Sequence, residues 1–232
     1  MPVESSTNHS QPEVLYEDNH LIAVNKQCGD IVQGDKTGDT PLSETVKAFL
    51  KRKYDKPGNV FLGVVHRLDR PTSGVIVFAK TSKALTRMNK LFASGATQKI
   101  YWAVVQPAPK PENDSLVHWL VRNPKQNKSY AYPKEVQNSK KAVLRYAIRK
   151  HLKSYSLLEI QLETGRHHQI RAQLAAAGVH IKGDLKYGAS RSNPDGGIHL
   201  HARQLSFVHP VSQTKIKITA PTPSNSIWEA CE

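Results

Sequence analysis

Cysteine is scarce in this sequence, and the two cysteines present form no recognisable motif. Cys28 and Cys231 stand far apart in the 232-residue chain, and neither belongs to a Cys-x-x-Cys pair. Two such residues cannot build the disulfide framework of a small secreted domain. The cysteine content therefore predicts a protein of a reducing compartment, the cytoplasm.

Long apolar runs are also missing. No stretch of about 18 apolar residues occurs, so the sequence predicts no membrane-spanning helix. The first residues are polar and lack the basic and then apolar order of a secretory signal. We expect residues 1–12 to be a disordered lead and residues 13–228 to form a single domain.

Acidic and aromatic residues are few. The chain has 19 acidic against 33 basic residues, a formal charge of +14, and only 7% aromatic residues. The charge indicates a polyanionic partner. The low aromatic content favours backbone attraction plus one specific pocket over serial base stacking on an extended surface. A basic surface on an ordinary soluble protein is the alternative that composition leaves open.

Apolar periodicity predicts three helices and a series of short strands. The helices are expected to start at Thr40 or Pro41, at Thr81 or Ser82, and at His168, and to end near residues 54, 94 and 177. Strands are predicted at 14–25 (a hairpin), 60–65, 75–79, 99–106, 142–148, 155–162, 198–207 and 215–219, with a loop at 107–115 and a lysine-rich surface excursion at 122–141. The pattern lacks βαβ alternation, so it predicts an α+β fold with a largely antiparallel sheet.

The most informative string is HRLDRPTSGVI, at residues 66–76. It places one carboxylate, Asp69, between Arg67 and Arg70, in a loop between two strand-like runs. A carboxylate on a rigidly held loop is suited to chemistry. A lone aspartate in a turn is more often structural, because it hydrogen-bonds its own backbone.

HRLDRPTSG resembles the signature HRLDxxTSG of the RluA-like family of pseudouridine synthases. Five further segments resemble the family in the family's order, and together the six matches span about residues 13–222. They are VLYEDNHLIAVNK (14–26), KIYWAVV (99–105), LETGRHHQIRAQL (162–174), IKGDLKYG (181–188) and LHARQLSFVHP (200–210). Many members carry an additional S4-type RNA-binding domain, for which we expect no room before residue 14.

The resemblance implies the pseudouridine synthase catalytic fold, a mixed and mostly antiparallel sheet with flanking helices and a basic central cleft. It implies an enzyme that isomerises specific uridines of structured RNA, ribosomal or transfer, after flipping the base out of the stack. The reaction breaks the bond from uracil N1 to the ribose, turns the base and rejoins it through C5, without a cofactor. RNA is the expected partner, and a monomer is the default.

The resemblance also assigns roles to residues. Asp69 matches the catalytic carboxylate and Arg171 its ion-pair partner. Tyr101 matches the residue whose ring stacks on the uracil and whose hydroxyl is a candidate to help remove the C5 proton. Whether Asp69 attacks the sugar, attacks the base or assists proton removal is left open. Arg67 matches a residue that enters the RNA stack when the base is flipped. The other residues expected to contact RNA are Arg70, Arg166 and His168.

Two more positions match the family, and one departs from it. Lys26 and Asp184 match positions expected to support the loops and the cleft. Members usually have Asn-Lys-Pro in the first segment, whereas Gln27 replaces that proline here. The replacement leaves the catalytic set intact and puts the rigidity of the turn in question.

Three functional hypotheses differ in what they require. The first is an RNA pseudouridine synthase that depends on Asp69. The second is a catalytically silent RNA-binding or RNA-assembly factor on the same scaffold, for which Asp69→Asn would leave the cellular phenotype unchanged. The third, a metal-dependent nuclease, needs clustered acidic ligands, and neither these nor cysteines occur at zinc-like spacing beside the eleven histidines. No metal site is predicted.

Overall fold

A computed structural model describes residues 11–34 and 37–232. The helices are α1 (Leu42–Lys53), α2 (Ser82–Ala93), α3 (Gln169–Ala176) and α4 (Ser226–Glu229), with a 3₁₀ turn at Leu185–Tyr187. The strands are β1 (Val14–Glu17), β2 (Leu21–Lys26), β3 (Gly63–Val64), β4 (Ser73–Ala79), β5 (Gln98–Gln106), β6 (Asn113–Asn123), β7 (Lys128–Tyr132), β8 (Lys140–His151), β9 (Ser156–Leu162), β10 (His180–Ile181), β11 (Leu200–Val208) and β12 (Lys215–Thr219). Of the predicted disordered lead, residues 1–10 lie outside the described residues.

These strands form one mixed sheet of 12 strands. The main order is β1-β2-β4-β11-β5-β9-β8-β6-β7, and the short strands β3, β10 and β12 pair with β4, β5 and β11. The β4–β11 pair is parallel, and the other ladders of the described residues are antiparallel. The predicted α+β fold with a mostly antiparallel sheet is confirmed.

Helices α1 and α2 cover opposite faces of the β2–β4 pair. Val46 and Leu50 of α1 pack with Ile22 on one face, and Met88 of α2 packs with Leu21 on the other. Both strands are therefore buried on both faces, which explains their unbroken apolar sequences. The threonine predicted to cap α2, Thr81, accepts a hydrogen bond from the N–H of the third residue after it.

The other half of the sheet lies between α3 and α4. Ile170 and Leu174 of α3 pack with Ile160 on one face, while Trp228 of α4 packs with Trp102 on the opposite face. The sequence did not predict α4, because a four-residue helix is too short to show periodicity. In the described ranges, no helix is long and apolar enough to cross a membrane.

Three predicted boundaries are wrong. Only residues 63–64 of the predicted strand 60–65 enter the sheet, whereas Val60 and Leu62 pack beside α1. The loop predicted at 107–115 ends early, because β6 begins at Asn113. The predicted surface excursion at 122–141 contains the end of β6, all of β7 and the first two residues of β8. In β7 the exposed Tyr130 and Tyr132 alternate with the small inward residues Ser129 and Ala131.

Candidate active site

The loop between β3 and β4, which carries the HRLD string, is held by a buried lysine. The ammonium of Lys26, 0% exposed, donates hydrogen bonds to the carbonyl oxygens of Gln27 (3.0 Å), Arg70 (3.0 Å) and Thr72 (2.8 Å). The N–H of Gly29 also donates to the Arg70 carbonyl, at 3.0 Å. Burial lowers the pKa of Lys26 to about 8, so these carbonyl oxygens are what stabilise a cation there. The loop is fixed by the strand next to it.

Gly74, the last residue of the HRLDRPTSG string, brings this loop into the centre of the sheet. It has a φ of 116° and lies opposite Ala202 in the parallel β4–β11 pair. A Cβ at this position would lie 2.6 Å from the Ala202 nitrogen. Both the backbone conformation and the close approach therefore require glycine.

Arg171 joins two carboxylates across the site. Its Nη1 lies 3.0 Å from Asp69 Oδ2, and its Nε and Nη2 lie 2.6 and 2.8 Å from the two carboxylate oxygens of Asp184. The side chains of Arg171 and Asp184 are 6% and 1% exposed, against 27% for Asp69. Burial opposes the guanidinium charge, but hydrogen bonds and charges from both carboxylates raise the pKa of Arg171 overall. We call these three residues the Arg171 clamp.

Helix α3 holds the arginine of the clamp in place. All of its residues from Gln169 to Leu174 are buried. The side-chain amide of Gln173 donates to the carbonyl oxygens of Leu116 (2.9 Å) and Ala142 (3.2 Å), which anchors the helix to β6 and β8. Arg171 reaches Asp69 as the resemblance implied, from a helix that is buried rather than amphipathic.

Tyr101 of β5 lines the same cleft as Asp69. Its ring is half-buried, on the inward face of β5 that it shares with Ala103 and Val105. Burial raises the pKa of Tyr101 well above its ordinary value, and the charge of Asp69 raises it further. The phenol is therefore neutral at physiological pH.

His168 lies between Asp69 and Tyr187. It precedes α3 in a left-handed conformation (φ 52°) and is buried. Its Nδ1 lies 3.0 Å from the Tyr187 hydroxyl, and its Nε2 lies 3.5 Å from Asp69 Oδ2. Burial first, and then the neighbouring positive charges, lower the pKa of His168 to about 2, so the imidazole is neutral. The carboxylate favours the tautomer with hydrogen on Nε2, which leaves Nδ1 to accept from Tyr187.

Tyr187 is a site residue that sequence reasoning missed. Its hydroxyl accepts a hydrogen bond from the N–H of Ser129 (2.8 Å), and the Arg171 guanidinium lies 4.9 Å from its ring centroid. The only sequence signal was its place in the segment IKGDLKYG, which resembles the family. Its contacts come from β7 and α3, so no local pattern could reveal them.

The three arginines predicted to contact RNA lie around the cleft and are exposed. Arg70 pairs with Asp39 at 2.8 Å, and the Nε of Arg166 donates to the Lys141 carbonyl at 3.1 Å. Arg67 lines the cleft beside Asp69. Exposed guanidinium groups around a cleft are suited to phosphates, and these RNA contacts stay predictions. The same holds for His168, although it is only 8% exposed.

The cleft itself is open and has a volume of about 1030 Å³. Asp69, Tyr101 and Arg171 all line it, so the structure brings together the three residues predicted to be catalytic. Among the described residues, no group of three or more His, Cys, Asp or Glu side chains is arranged to hold a metal ion. The predicted absence of a metal stays a prediction.

Comparisons with known proteins agree with this fold and identify the family. A family model described as RNA pseudouridylate synthase matches residues 20–176. Ribosomal large subunit pseudouridine synthase D of Xylella fastidiosa is 34% identical over 227 residues, which cover 92% of this chain and 66% of the relative. An uncharacterized RNA pseudouridine synthase of Synechocystis is 32% identical over 231 residues, which cover 97% of this chain and 70% of the relative.

A solved structure supports the fold independently. The structure of human RNA Pseudouridylate Synthase Domain Containing 4 has a TM-score of 0.78 to this chain at 24% identity, covering 94% of this chain and 92% of the other. The chain belongs to the RNA pseudouridylate synthase family. The predicted family is thereby confirmed, and the predicted isomerisation of uridine in RNA agrees with it.

Proposed function

We propose that this protein converts a uridine of large-subunit ribosomal RNA to pseudouridine, with Asp69 as the catalytic carboxylate. The observation that carries the proposal is the Arg171 clamp, which orients one partly exposed carboxylate, Asp69, in the lining of a basic cleft. Relatives from Xylella and Xanthomonas, 34% and 32% identical, are ribosomal large subunit synthases, which supports the choice of RNA.

The chemistry requires one well-placed anion and a dry pocket. The N1–C1′ bond breaks, the uracil turns, and a C5–C1′ bond forms while C5 loses a proton and N1 gains one. No atom or electron is lost, so the reaction balances without a cofactor. Arg171 and His168 both face Oδ2 of Asp69, and we assign Oδ1 to the substrate.

Two neighbours complete the proposed site. Burial raises the pKa of the Tyr101 phenol, so the side chain stays neutral and is suited to stacking on the uracil. Arg67 is exposed beside Asp69 and is assigned to the gap that the flipped nucleotide leaves. We further propose that the enzyme acts as a monomer, in the cytoplasm.

The test is a modification map. The protein is incubated with total RNA from cells that lack its gene, and pseudouridine is located by carbodiimide treatment and primer extension. We expect at least one new site in large-subunit ribosomal RNA with the wild type and none with Asp69→Asn. Asp114→Asn, an exposed carboxylate on β6, is the matched control and should retain full activity.

Each outcome has a distinct meaning. RNA binding that survives Asp69→Asn separates a catalytic role from a binding role. No new site with the wild type, or equal activity in Asp69→Asn, would contradict the proposal and favour a silent RNA-binding factor. Modification of transfer RNA alone would overturn the ribosomal target while leaving the isomerase assignment intact.

A further inference from the structure

The face of the sheet opposite α3 carries aromatic side chains in register. Trp119 of β6 lies directly opposite Tyr132 of β7 on one side and Lys141 of β8 on the other. Tyr130 shares the face of Tyr132, because it lies two residues before it in the same strand. We call Trp119, Tyr130 and Tyr132 the aromatic row.

This face lies outside the buried clusters of the described residues. Tyr130 and Tyr132 are 38% and 39% exposed, and the neighbouring Val117 is 41% exposed. Helix α3 covers only the other face of these strands, where its Ala172 packs with Leu120. Aromatic side chains gathered on an exposed face are typical of a binding surface.

The charges beside the aromatic row identify the kind of partner. The Lys128 ammonium lies 5.6 Å from the Tyr130 ring centroid, and Lys141 is exposed at the end of the row. Arg145 is on the same face but is already paired with Glu163 at 2.8 Å. Rings on a sheet with lysines beside them stack unpaired bases and neutralise their phosphates. A protein partner would not specifically require this combination.

The aromatic row is also continuous with the cleft. Lys128 lies 5.0 Å from the ring centroid of Tyr187, which belongs to the candidate active site. Arg122 and Asn127, on either side of the β6–β7 turn, line the cleft. Lys186 donates a hydrogen bond to the Asn127 carbonyl at 3.2 Å and holds this turn in place. A nucleic-acid strand that leaves the cleft at this turn can reach the aromatic row by passing around β7, the edge strand of the sheet.

We propose that the aromatic row, with Lys128 and Lys141, is a second RNA-binding surface that stacks two or three unpaired bases lying outside the catalytic cleft. The proposal rests on the proposed function, because it takes RNA as the substrate. It also revises the expectation, drawn from the low aromatic content, that base stacking outside one pocket is disfavoured. The strand register concentrates three of the few aromatic residues on one face. Its role is to hold a large RNA while the cleft acts on one nucleotide.

The test measures binding separately from catalysis. Fluorescence anisotropy gives the Kd of a labelled single-stranded RNA of about 12 nucleotides, long enough for the row and part of the cleft. The double variant Tyr130→Ala/Tyr132→Ala should raise Kd by about tenfold or more, because two stacking rings are lost. The double variant Tyr130→Phe/Tyr132→Phe keeps both rings and should bind within about twofold of the wild type.

Two further variants sharpen the test. Tyr54→Ala removes a tyrosine that is at least as exposed and lies beside lysines at the end of α1, and the Kd of this variant should not change. Lys141→Ala should lower the slope of log K against log salt by about 0.7, the value for one phosphate contact to a single strand. With ribosomal RNA, the double alanine variant should raise KM and leave kcat unchanged, and its circular dichroism should match that of the wild type.

Other results would overturn the inference. An unchanged Kd in the double alanine variant, or an equal loss in the double phenylalanine variant, rules out base stacking. A wild-type dimer that the alanine variant dissociates, seen by sedimentation velocity, would make this face a self-association surface. If the wild type binds as expected but forms no pseudouridine, only the proposed function fails. If it is active but the row variants bind normally, only this inference fails.

Discussion

Asp184→Asn and Asp69→Asn each remove one of the two negative charges that pair with Arg171, and the structure predicts different consequences for the two variants. Asp184 is 1% exposed and forms two short hydrogen bonds to Arg171, of 2.6 and 2.8 Å. Asp69 is 27% exposed and contributes one hydrogen bond, of 3.0 Å. We expect Asp184 to be needed mainly for folding stability and Asp69 mainly for turnover.

The magnitudes follow from burial. Breaking a buried pair costs about 3 to 5 kcal/mol, because it leaves an uncompensated charge. Arg171 keeps Asp69 as a partner in Asp184→Asn, so we expect the lower end, a loss of about 3 kcal/mol. In Asp69→Asn the arginine keeps both of its bonds to Asp184, and a partly exposed pair contributes about 1 kcal/mol or less. The two variants should differ by about 2 kcal/mol in the free energy of unfolding.

Urea unfolding followed by far-ultraviolet circular dichroism measures this difference. The m value should stay constant, so the midpoint reports stability directly. Parallel turnover assays should show no product for Asp69→Asn and a reduced kcat for Asp184→Asn, whose arginine is less firmly held. Equal destabilisation by the two substitutions would refute the division of roles, as would full activity in Asp69→Asn.

Three further predictions concern the surroundings of the clamp. Burial lowers the pKa values of His66 and His168 to about 3 and about 2. Below pH 6.5 the unfolded chain therefore binds more protons than the folded chain. The free energy of unfolding should decrease as the pH is lowered, by up to about 1.4 kcal/mol per pH unit for each group. Equal urea midpoints at about pH 7.5 and 5.5 would contradict this. Gly74→Ala places a methyl group against the Ala202 backbone and should cost more than about 3 kcal/mol, or prevent folding, in the same urea assay. Tyr187→Phe should weaken the preference of His168 for the Nε2–H tautomer in nitrogen-15 NMR spectra and lower kcat, because Asp69 alone then favours that tautomer. An unchanged tautomer population would show that the hydroxyl does not contribute to it.

Local sequence patterns predicted those helices and hairpins whose boundaries are set by nearby residues. The hairpin at residues 14–25 and helices α1 and α2 have their own turn and capping signals, and they lie close to the predicted places. The β6–β7 hairpin was missed because its inward residues, Ser129 and Ala131, are small, so apolar periodicity is weak there. What fixes β7 is pairing with β6, which composition does not reveal.

The candidate site also has parts that a contiguous motif could predict and parts that depend on tertiary packing. The HRLD string is contiguous, so Asp69 could be selected from sequence, and the resemblance supplied its partner 102 residues away. Nothing in the sequence predicted that Arg171 would be almost fully buried, or that Asp184 would hold it with two bonds. His168 was predicted to contact RNA, and its contacts with Asp69 and Tyr187 could not be inferred from its place in the sequence. Such contacts depend on how distant segments pack together, and only the folded chain defines them.

The replacement of proline by Gln27 illustrates how the structure answers a question that sequence could only raise. A proline would restrict the backbone and remove an N–H donor. Here that N–H donates to Asp30 Oδ2 at 3.1 Å, and the Gln27 carbonyl accepts from the Lys26 ammonium at 3.0 Å. The turn is thus closed by a hydrogen bond from the Gln27 backbone to the side chain of an aspartate three residues later. Because Gly29 of the same turn donates to the Arg70 carbonyl, the loop that carries Asp69 is held by hydrogen bonds rather than by a proline ring.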